Sequence, residues 1–237
     1  MLAMTVTPEA MRNSTAKVMP LSTKGRASNE ENIFENPAQS RAAVYAPRED
    51  LFLEGDEASH LLEVKEGEVC AYRLLTDGHR HVVSFYFTGD LIGYCCAGSH
   101  TFSAQARNKV RIRRIPRQLM NQLIESQPGF ARRLLRLASD ELSMTREHLL
   151  CLAAKSAEAR MAVFLLALGR RNGEAGGNPD RIDLPMTRVD IGDYLGLTIE
   201  TVSRTFSKLK RCGVIALPRT TTVLIRDVEA LAQAAQG

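Results

Sequence analysis

The sequence lacks the features that would place the protein in a membrane, outside the cell or in a common class of enzyme. Its longest apolar runs, such as Met161 to Leu168, are far shorter than the roughly 20 residues of a membrane-spanning helix. Residues 1–13 hold no apolar core followed by a small-residue cleavage site, so we expect no secretory signal. We find no Gly-x-Ser-x-Gly motif, phosphate-binding loop or zinc-hydrolase motif, and we therefore do not expect an enzyme.

Cysteine is also scarce. The 237 residues include an odd number of cysteines, five, scattered along the chain: Cys70, Cys95, Cys96, Cys151 and Cys212. That pattern is typical of reduced thiols rather than of a disulfide framework, and we expect a cytoplasmic protein. Hydrophobic residues make up 44% and charged residues 24% of the sequence, which excludes wholesale disorder and fits one large or two small globular domains.

Positive charge exceeds negative charge only slightly, but it is unevenly placed. The net charge is +4, and between Arg107 and Arg136 nine Lys or Arg residues stand against one acid, Glu125. Such clustering indicates a polyanionic partner. Four of these cations alternate along one predicted strand, either as a solvated face or as a contact for a protein partner or for phosphates: Arg107, Lys109, Arg111 and Arg113.

The first part of the chain predicts a polar tail followed by an antiparallel sheet. Residues 1–30 are polar without a sustained period, and we interpret them as a mobile tail. Residues 31–126 hold short strand-like segments separated by glycines, and Asp77-Gly78 is a strong hairpin signal. Regular short strands of this kind predict a rolled antiparallel sheet.

A change of period after Pro116 predicts a long helix, which we place within residues 127–155. Pro128 is a suitable first residue, and the helix would continue to about Ala154. So long a helix needs a partner for its apolar stripe, either a second copy of itself or its own sheet. We predict dimerisation through five leucines: Leu134, Leu137, Leu142, Leu149 and Leu152.

Residues 156–237 predict a winged helix-turn-helix domain. Thr187 is a natural N-cap with Asp190 three residues later, and Gly196 would end this first helix in a tight turn. Thr198 would cap a second helix with apolar residues on one side and a polar, basic face on the other. Two short strands after this helix, within Val214–Ile225, would form the wing.

The second helix carries groups that suit DNA. Glu200 could accept a hydrogen bond from a cytosine amine, Arg204 could donate two to guanine, and Ile199 could contact a thymine methyl group. Phosphate contacts are predicted at five positions: Thr187, Arg188, Thr198, Thr201 and Lys208. The alternative is that Glu200 and Arg204, four residues apart, form only a surface ion pair.

Over about residues 40–232 the chain resembles the Crp/Fnr superfamily of bacterial transcription regulators. The likeness includes Gly55-Asp56, Gly89-Asp90, the segment Ala157 to Arg160 and the segment Leu197 to Arg204. It implies an α+β fold in which a β-roll like that of cyclic-nucleotide-binding domains precedes a long dimerisation helix and a winged helix-turn-helix. Within the superfamily, Glu200, Ser203 and Arg204 look like the FNR/FixK branch.

That branch implies a homodimer on double-stranded DNA at a TTGAT-N4-ATCAA-type palindrome. The homodimer would recruit RNA polymerase, mainly as an activator of low-oxygen, nitrogen-fixation or denitrification-type genes. By the same likeness Arg204 would contact the half-site guanine, Glu200 the paired cytosine and Ser203 an adjacent base. The turn Asp77–Arg80 lies where related proteins touch the polymerase sigma subunit.

Departures from the family indicate that no cofactor is bound. Where cyclic-AMP-binding members carry a glutamate and an Arg-Ser-Ala phosphate clamp, this chain has Tyr94 and Phe102-Ser103-Ala104. Thr145-Arg146 replaces the Thr-Ser pair that touches adenine in those members. No cysteine precedes Cys70, and Arg113 stands at the roll cysteine of the iron–sulfur members. We therefore expect neither cyclic nucleotide nor cluster, and control through abundance or upstream signalling.

Two alternatives concern thiols and histidines. A β-roll that senses haem or another small molecule could use Cys95-Cys96 with His79, His81 or His100, although the spacing matches no regular ligand pattern. Cys212 follows a basic run, and its oxidation could weaken DNA binding; otherwise it is an unreactive thiol.

Overall fold

The structure is a computed structural model that describes residues 41–94 and 98–237. The predicted tail of residues 1–30, together with Cys95 and Cys96, lies outside the described residues. Within the described part the chain forms two compact units, one ending at Ser143 and the other beginning at Met144. The boundary between the two units falls inside the long helix. The sequence analysis predicted this helix as a segment of its own, within residues 127–155.

The first unit is a roll of two four-stranded antiparallel sheets, ordered β1-β8-β3-β6 and β2-β7-β4-β5. Alternating apolar residues of both sheets are buried, among them Val64, Val69, Ile92 and Ile112, and they form the core. The predicted antiparallel roll is confirmed. Its strands are β1 Arg41–Tyr45, β2 Asp50–Phe52, β3 His60–Glu66, β4 Val69–Leu74, β5 Arg80–Tyr86, β6 Leu91–Ile92, β7 Ser103–Ala106 and β8 Val110–Pro116.

Glycines make the turns of the roll possible because the backbone there has positive φ. Gly78, in the β4–β5 hairpin, has φ +81°, and Asp77 Oδ1 accepts a hydrogen bond from the backbone N–H of His79 at 3.0 Å. Gly67, between β3 and β4, has φ +89° and lies against the backbone carbonyl of Lys109, where a Cβ would collide. Only glycine satisfies both constraints at position 67.

The predicted basic strand is not one continuous charged face. β8 begins at Val110, so Arg107 and Lys109 precede it in the connection from β7. Arg111 and Arg113 lie on β8, where Arg111 pairs with Glu66 at 3.5 Å and Arg113 Nε donates to Glu63 Oε2 at 2.5 Å. Two acidic residues of the neighbouring strand β3 therefore neutralise the two cations that lie on β8.

Two helices follow the roll, α1 Arg117–Ser126 and α2 Pro128–Ala154. The span of α2 agrees with the span predicted from the sequence. The second unit adds four helices and a three-stranded sheet of order β10-β11-β9. These elements are α3 Ala157–Glu174, β9 Arg181–Asp183, α4 Arg188–Leu195, α5 Ile199–Arg211, β10 Ile215–Arg219, β11 Thr222–Ile225 and α6 Val228–Ala234.

The leucines predicted to form the dimer differ in exposure within one chain, and their role in dimerisation stays a prediction. Leu137 is only 5% exposed, because it packs in the same chain against a cluster that includes Leu61 and Phe130, and Leu134 lies against the same cluster. Leu152 is half-buried. Four leucines of α2 are at least half exposed: Leu135, Leu142, Leu149 and Leu150. Counting apolar positions did not separate the leucines that face the roll from those that face solvent.

No helix in the described part of the chain is long and apolar enough to cross a membrane.

Replacing Gly67 by alanine should destabilise the roll more than the same change at Gly55. Both glycines have positive φ, which costs alanine about 1–2 kcal/mol, but the Cβ at position 55 has no neighbour within 4 Å. Gly67→Ala adds a collision with the Lys109 carbonyl. Denaturant unfolding followed by circular dichroism measures both, and equal losses of unfolding free energy would contradict the steric argument.

Candidate nucleic-acid interface

The two helices α4 and α5 are set by their caps and by a glycine turn. Thr187 and Asp190 form a reciprocal capping box at the start of α4, with the Asp190 N–H donating to Thr187 Oγ1 at 3.2 Å. α4 ends at Gly196, which is left-handed at φ 62°. A Cβ on Gly192 would lie 2.6 Å from the carbonyl oxygen of Leu197, so this glycine lets the turn fold back against α4.

Helix α5 presents one apolar and one polar face, as predicted. Val202, Phe206 and Leu209 are each at most 2% exposed and pack inward. The opposite side is exposed, and we call its four predicted base-contacting residues the reading face: Ile199, Glu200, Ser203 and Arg204. The structure therefore brings these four side chains together on one solvent-facing surface.

Hydrogen bonds at the first turn of α5 orient the reading face. Thr198 Oγ1 accepts from the Thr201 N–H at 3.2 Å, and Arg204 Nη2 donates to Thr201 Oγ1 at 3.2 Å. Hydrogen bonds from its own backbone N–H and from Thr198 lower the pKa of Glu200. At neutral pH Glu200 is thus a carboxylate and can only accept, which matches a cytosine amine.

The wing has one strand more than the sequence predicted. β10 and β11 form the expected hairpin, with Ile215 opposite Ile225. β9 pairs with the other edge of β11, and Thr222 Oγ1 donates to Asp183 Oδ1 at 2.9 Å. The sequence analysis did not predict β9 because this strand has only three residues. Alternation over so short a segment is hard to distinguish from a loop.

Arg188, predicted to contact phosphate, makes two contacts within the chain. Its guanidinium lies 3.5 Å from the ring centroid of Phe206, and its Nη2 donates to the Thr220 carbonyl of the wing turn at 3.1 Å. Burial lowers the pKa of this side chain. Arg188 joins α4, α5 and the wing, and a phosphate contact, which stays a prediction, would require it to leave Phe206.

Of the other predicted phosphate contacts, Thr187, Thr198 and Lys208 are exposed and Thr201 is half-buried, and all four already have polar partners. Thr187 Oγ1 donates to Asp190 Oδ2 at 2.7 Å, and Lys208 forms an ion pair with Glu158 of α3. Thr198 and Thr201 bond each other across 3.1 Å. The three threonines hold the N-terminal ends of α4 and α5 in place, where backbone N–H groups point outward. Lys208 lies in the last turn of α5.

Arg160 on α3 is a structural residue that the functional reading of the sequence missed. Its Nη2 donates to the Leu152 carbonyl at 2.7 Å and its Nε to the Lys155 carbonyl at 3.0 Å, both at the end of α2. Its Nη1 donates to the carbonyls of Leu195 at 3.0 Å and Gly196 at 3.4 Å, in the turn before α5. The segment Ala157–Arg160 carries family resemblance but no local signal of this role.

Aromatic stacking also joins α2 to α4. His148 of α2 stacks on Tyr194 of α4 with ring centroids 4.4 Å apart, and Phe164 of α3 meets Tyr194 at 5.9 Å. Full burial raises the pKa of Tyr194, and burial also raises that of the Cys151 thiol. The C-terminal part of α2 is thereby packed onto the helix-turn-helix.

The three histidines considered for a metal or haem site do not form one metal-binding group. His100 stacks on Phe52 at 3.5 Å between centroids, and burial lowers its pKa, whereas His79 and His81 belong to the β4–β5 hairpin. Across residues 41–94 and 98–237, no group of three or more His, Cys, Asp or Glu side chains could hold a metal ion. Cys212 is exposed at the C-cap of α5, and its redox role stays a hypothesis.

Comparison with known proteins finds matches to both units. A family model described as the Crp-like helix-turn-helix domain matches residues 159–234, and one described as the cyclic nucleotide-binding domain matches residues 43–127. Nitrogen fixation regulation protein FixK of Bradyrhizobium diazoefficiens is 42% identical over 177 residues, 75% of each chain. The fumarate and nitrate reduction regulatory protein of Escherichia coli is 35% identical over 187 residues, 78% of this chain and 74% of that protein.

A solved structure is similar over most of the chain. The structure of FixK2 from Bradyrhizobium japonicum has a TM-score of 0.78 at 32% identity, covering 82% of this chain and 96% of its own.

Arg160→Lys should weaken the helix-turn-helix, because an ammonium cannot donate to carbonyls at both helix ends as a guanidinium does. We expect the free energy of unfolding of this unit to fall by about 1–3 kcal/mol. Arg170→Lys is the matched control, since Arg170 lies on the same helix and makes only a 4.0 Å pair with Glu174. Denaturant midpoints that are the same for both variants would refute the role of Arg160.

Proposed function

This chain belongs to the FixK/FNR branch of the Crp/Fnr family of DNA-binding transcription regulators, and we propose that it acts as a homodimer on a TTGAT-N4-ATCAA-type palindrome. The observation that carries the proposal is the reading face of α5. Its glutamate, serine and arginine are exposed together beside an intact capping turn. The similarity to proteins named for nitrogen fixation regulation and for fumarate and nitrate reduction supports low-oxygen, nitrogen-fixation or denitrification-type targets.

On DNA, α5 lies in the major groove and its reading face contacts base edges. Arg204 donates to N7 and O6 of the half-site guanine, and Glu200 accepts from the amine of the paired cytosine. Ser203 contacts an adjacent base, and Ile199 packs on a thymine methyl group. Because Arg204 is already directed by Thr201, less side-chain freedom is lost when it binds.

Phosphate contacts come from the edges of the same surface. The N-terminal ends of α4 and α5 offer backbone N–H groups and the threonine hydroxyls of Thr198 and Thr201. Lys208 contributes charge when a phosphate replaces Glu158 as its partner. Because the Lys208 side chain is 53% exposed, its ion pair with Glu158 is weak, and the exchange favours DNA.

The homodimer forms along α2. Leu135, Leu142 and Leu149 are exposed and seven residues apart, which is the repeat of a coiled-coil seam. This set keeps Leu142 and Leu149 of the sequence prediction and adds Leu135. It leaves out the half-buried Leu152, and Leu134 and Leu137, which pack on the roll. A two-fold dimer places two copies of α5 on the two halves of a palindrome.

We propose that activity needs neither cyclic nucleotide nor an iron–sulfur cluster. Phe102, at the position where cyclic-AMP-binding members carry the phosphate-clamp arginine, packs against Phe52 at 5.8 Å and Tyr86 at 6.4 Å between centroids. Ser103 is buried and accepts from the Glu54 N–H at 2.9 Å. The exposed turn Asp77–Arg80 remains the proposed contact for RNA polymerase.

Glu200→Ala and Arg204→Ala should each lose about 1–3 kcal/mol of discrimination between the palindrome and a scrambled duplex, because each removes hydrogen bonds to one base. Fluorescence anisotropy at fixed salt measures both affinities. Lys210→Ala is the control, since this exposed cation on the same helix should weaken binding to both duplexes equally. A wild-type protein that binds both duplexes equally would overturn the assignment of the reading face.

Leu142→Lys should convert the dimer to a monomer and reduce affinity for the palindrome, because it places like charges opposite each other in the seam. Sedimentation velocity gives the oligomeric state and circular dichroism checks the fold. Ile124→Lys, at an apolar residue of α1 that is 37% exposed, should stay dimeric. If Leu142→Lys remains dimeric, α2 is not the interface.

A further inference from the structure

Tyr94 connects the roll to the first half of α2. It follows β6, and its phenol donates to the carboxylate of Glu141 and lies 3.4 Å from the Leu137 carbonyl oxygen. Its ring packs against the apolar cluster that contains Leu61 and Phe130. All of these residues belong to the unit that ends at Ser143.

The backbone that carries Tyr94 is held by an arginine. Arg117, the first residue of α1, donates from Nη2 to the Gly93 carbonyl at 2.7 Å and from Nε to the Ala58 carbonyl at 2.8 Å. Gly93 has φ +86°, a conformation that favours glycine. The tyrosine therefore extends from a segment whose position is braced on the roll.

Of the two residues that Tyr94 contacts, Leu137 lies opposite the exposed leucines of the same helix, and Glu141 lies about 100° from Leu142 around the helix. Two residues along an α-helix are about 200° apart, so Leu137 faces away from Leu135. Glu141 lies one turn after Leu137, and Leu142 lies two turns after Leu135. Leu137 is 5% exposed and Leu135 is 71% exposed, which agrees with this geometry.

We propose that Tyr94 is a positioning residue for dimerisation: its phenol fixes the rotation of α2 about its own axis, and that rotation presents Leu135 and Leu142 to a second copy of the chain. This inference rests on the dimer proposed above. The inference also goes beyond the proposed dimer, because it assigns the orientation of the leucine seam to a hydrogen bond made within one protomer.

A hydrogen bond is needed for this role because apolar packing is not directional. Leu134 and Leu137 bury surface on the roll, but buried area alone changes little when a helix turns by a few tens of degrees. A bond from a phenol to a carboxylate weakens steeply as its angle departs from linearity. One such bond thus adds an angular restraint to the burial of Leu134 and Leu137.

The test compares Tyr94→Phe with Tyr72→Phe. Both remove a phenol that donates to a carboxylate, but Tyr72 bonds Asp50 at 3.3 Å between two strands of the roll, β4 and β2. We expect Tyr94→Phe to raise the dimer dissociation constant about tenfold, the loss of a hydrogen bond to a charged group, and to weaken palindrome binding in parallel. Tyr72→Phe should leave both unchanged. Sedimentation equilibrium, anisotropy and thermal unfolding measure the three properties.

A merely structural role would lower the unfolding temperature of both variants without a selective change in dimerisation. Glu141→Gln provides a second variant, which keeps an acceptor and should raise the dissociation constant less than Tyr94→Phe. Combined with Tyr94→Phe it should raise the dissociation constant by less than the sum of the two separate effects, since both changes act on one bond. Additive effects, or a Tyr94→Phe dissociation constant equal to that of Tyr72→Phe, would overturn the inference.

The two proposals fail in different ways. If the wild-type protein is monomeric or does not bind the palindrome, the proposed function is wrong. If the wild-type protein forms the dimer and binds, but the Tyr94 and Tyr72 variants behave alike, only the role of Tyr94 is wrong.

Discussion

The guanidinium of Arg160 is the contact on which the DNA-facing geometry depends. The last carbonyls of a helix have no partner within the helix, and here two helices end next to each other. Arg160 donates to carbonyls at the end of α2 and in the turn after α4. A planar fork with five donors can bridge two backbones in this way, which a lysine cannot. The position of α5, and so of its reading face, follows from where that turn is held.

Arginines of this protein divide into those that brace the fold and those that are presented to solvent. Arg117, Arg160 and Arg188 each donate to backbone carbonyls and are partly buried. Arg204 donates to a threonine hydroxyl of its own helix and stays exposed. Desolvating a cation is costly unless carbonyls compensate it, whereas an exposed cation keeps its capacity for a guanine or a phosphate.

The long helix α2 serves two environments with two faces. One face, with Leu137 and Glu141, is fixed to the roll, and the other, with Leu135 and Leu142, is exposed. The apolar residues alone do not distinguish these faces, because leucines occur on both. The hydrogen bond from Tyr94 and the burial of Leu137 make the distinction visible.

The sequence by itself determined the elements whose signals are local: the capping box of Thr187 and Asp190, the left-handed turn at Gly196, the glycine turns of the roll and the two-faced pattern of α5. Each depends on residues within one or two turns of each other, so spacing is sufficient to predict it. Only the tertiary structure decided that Leu137 is buried, that Arg188 stacks on Phe206 and that Arg160 bridges two helix ends. Those roles depend on partners that are distant along the chain, and one side chain can make several such contacts, so its type alone does not select among them.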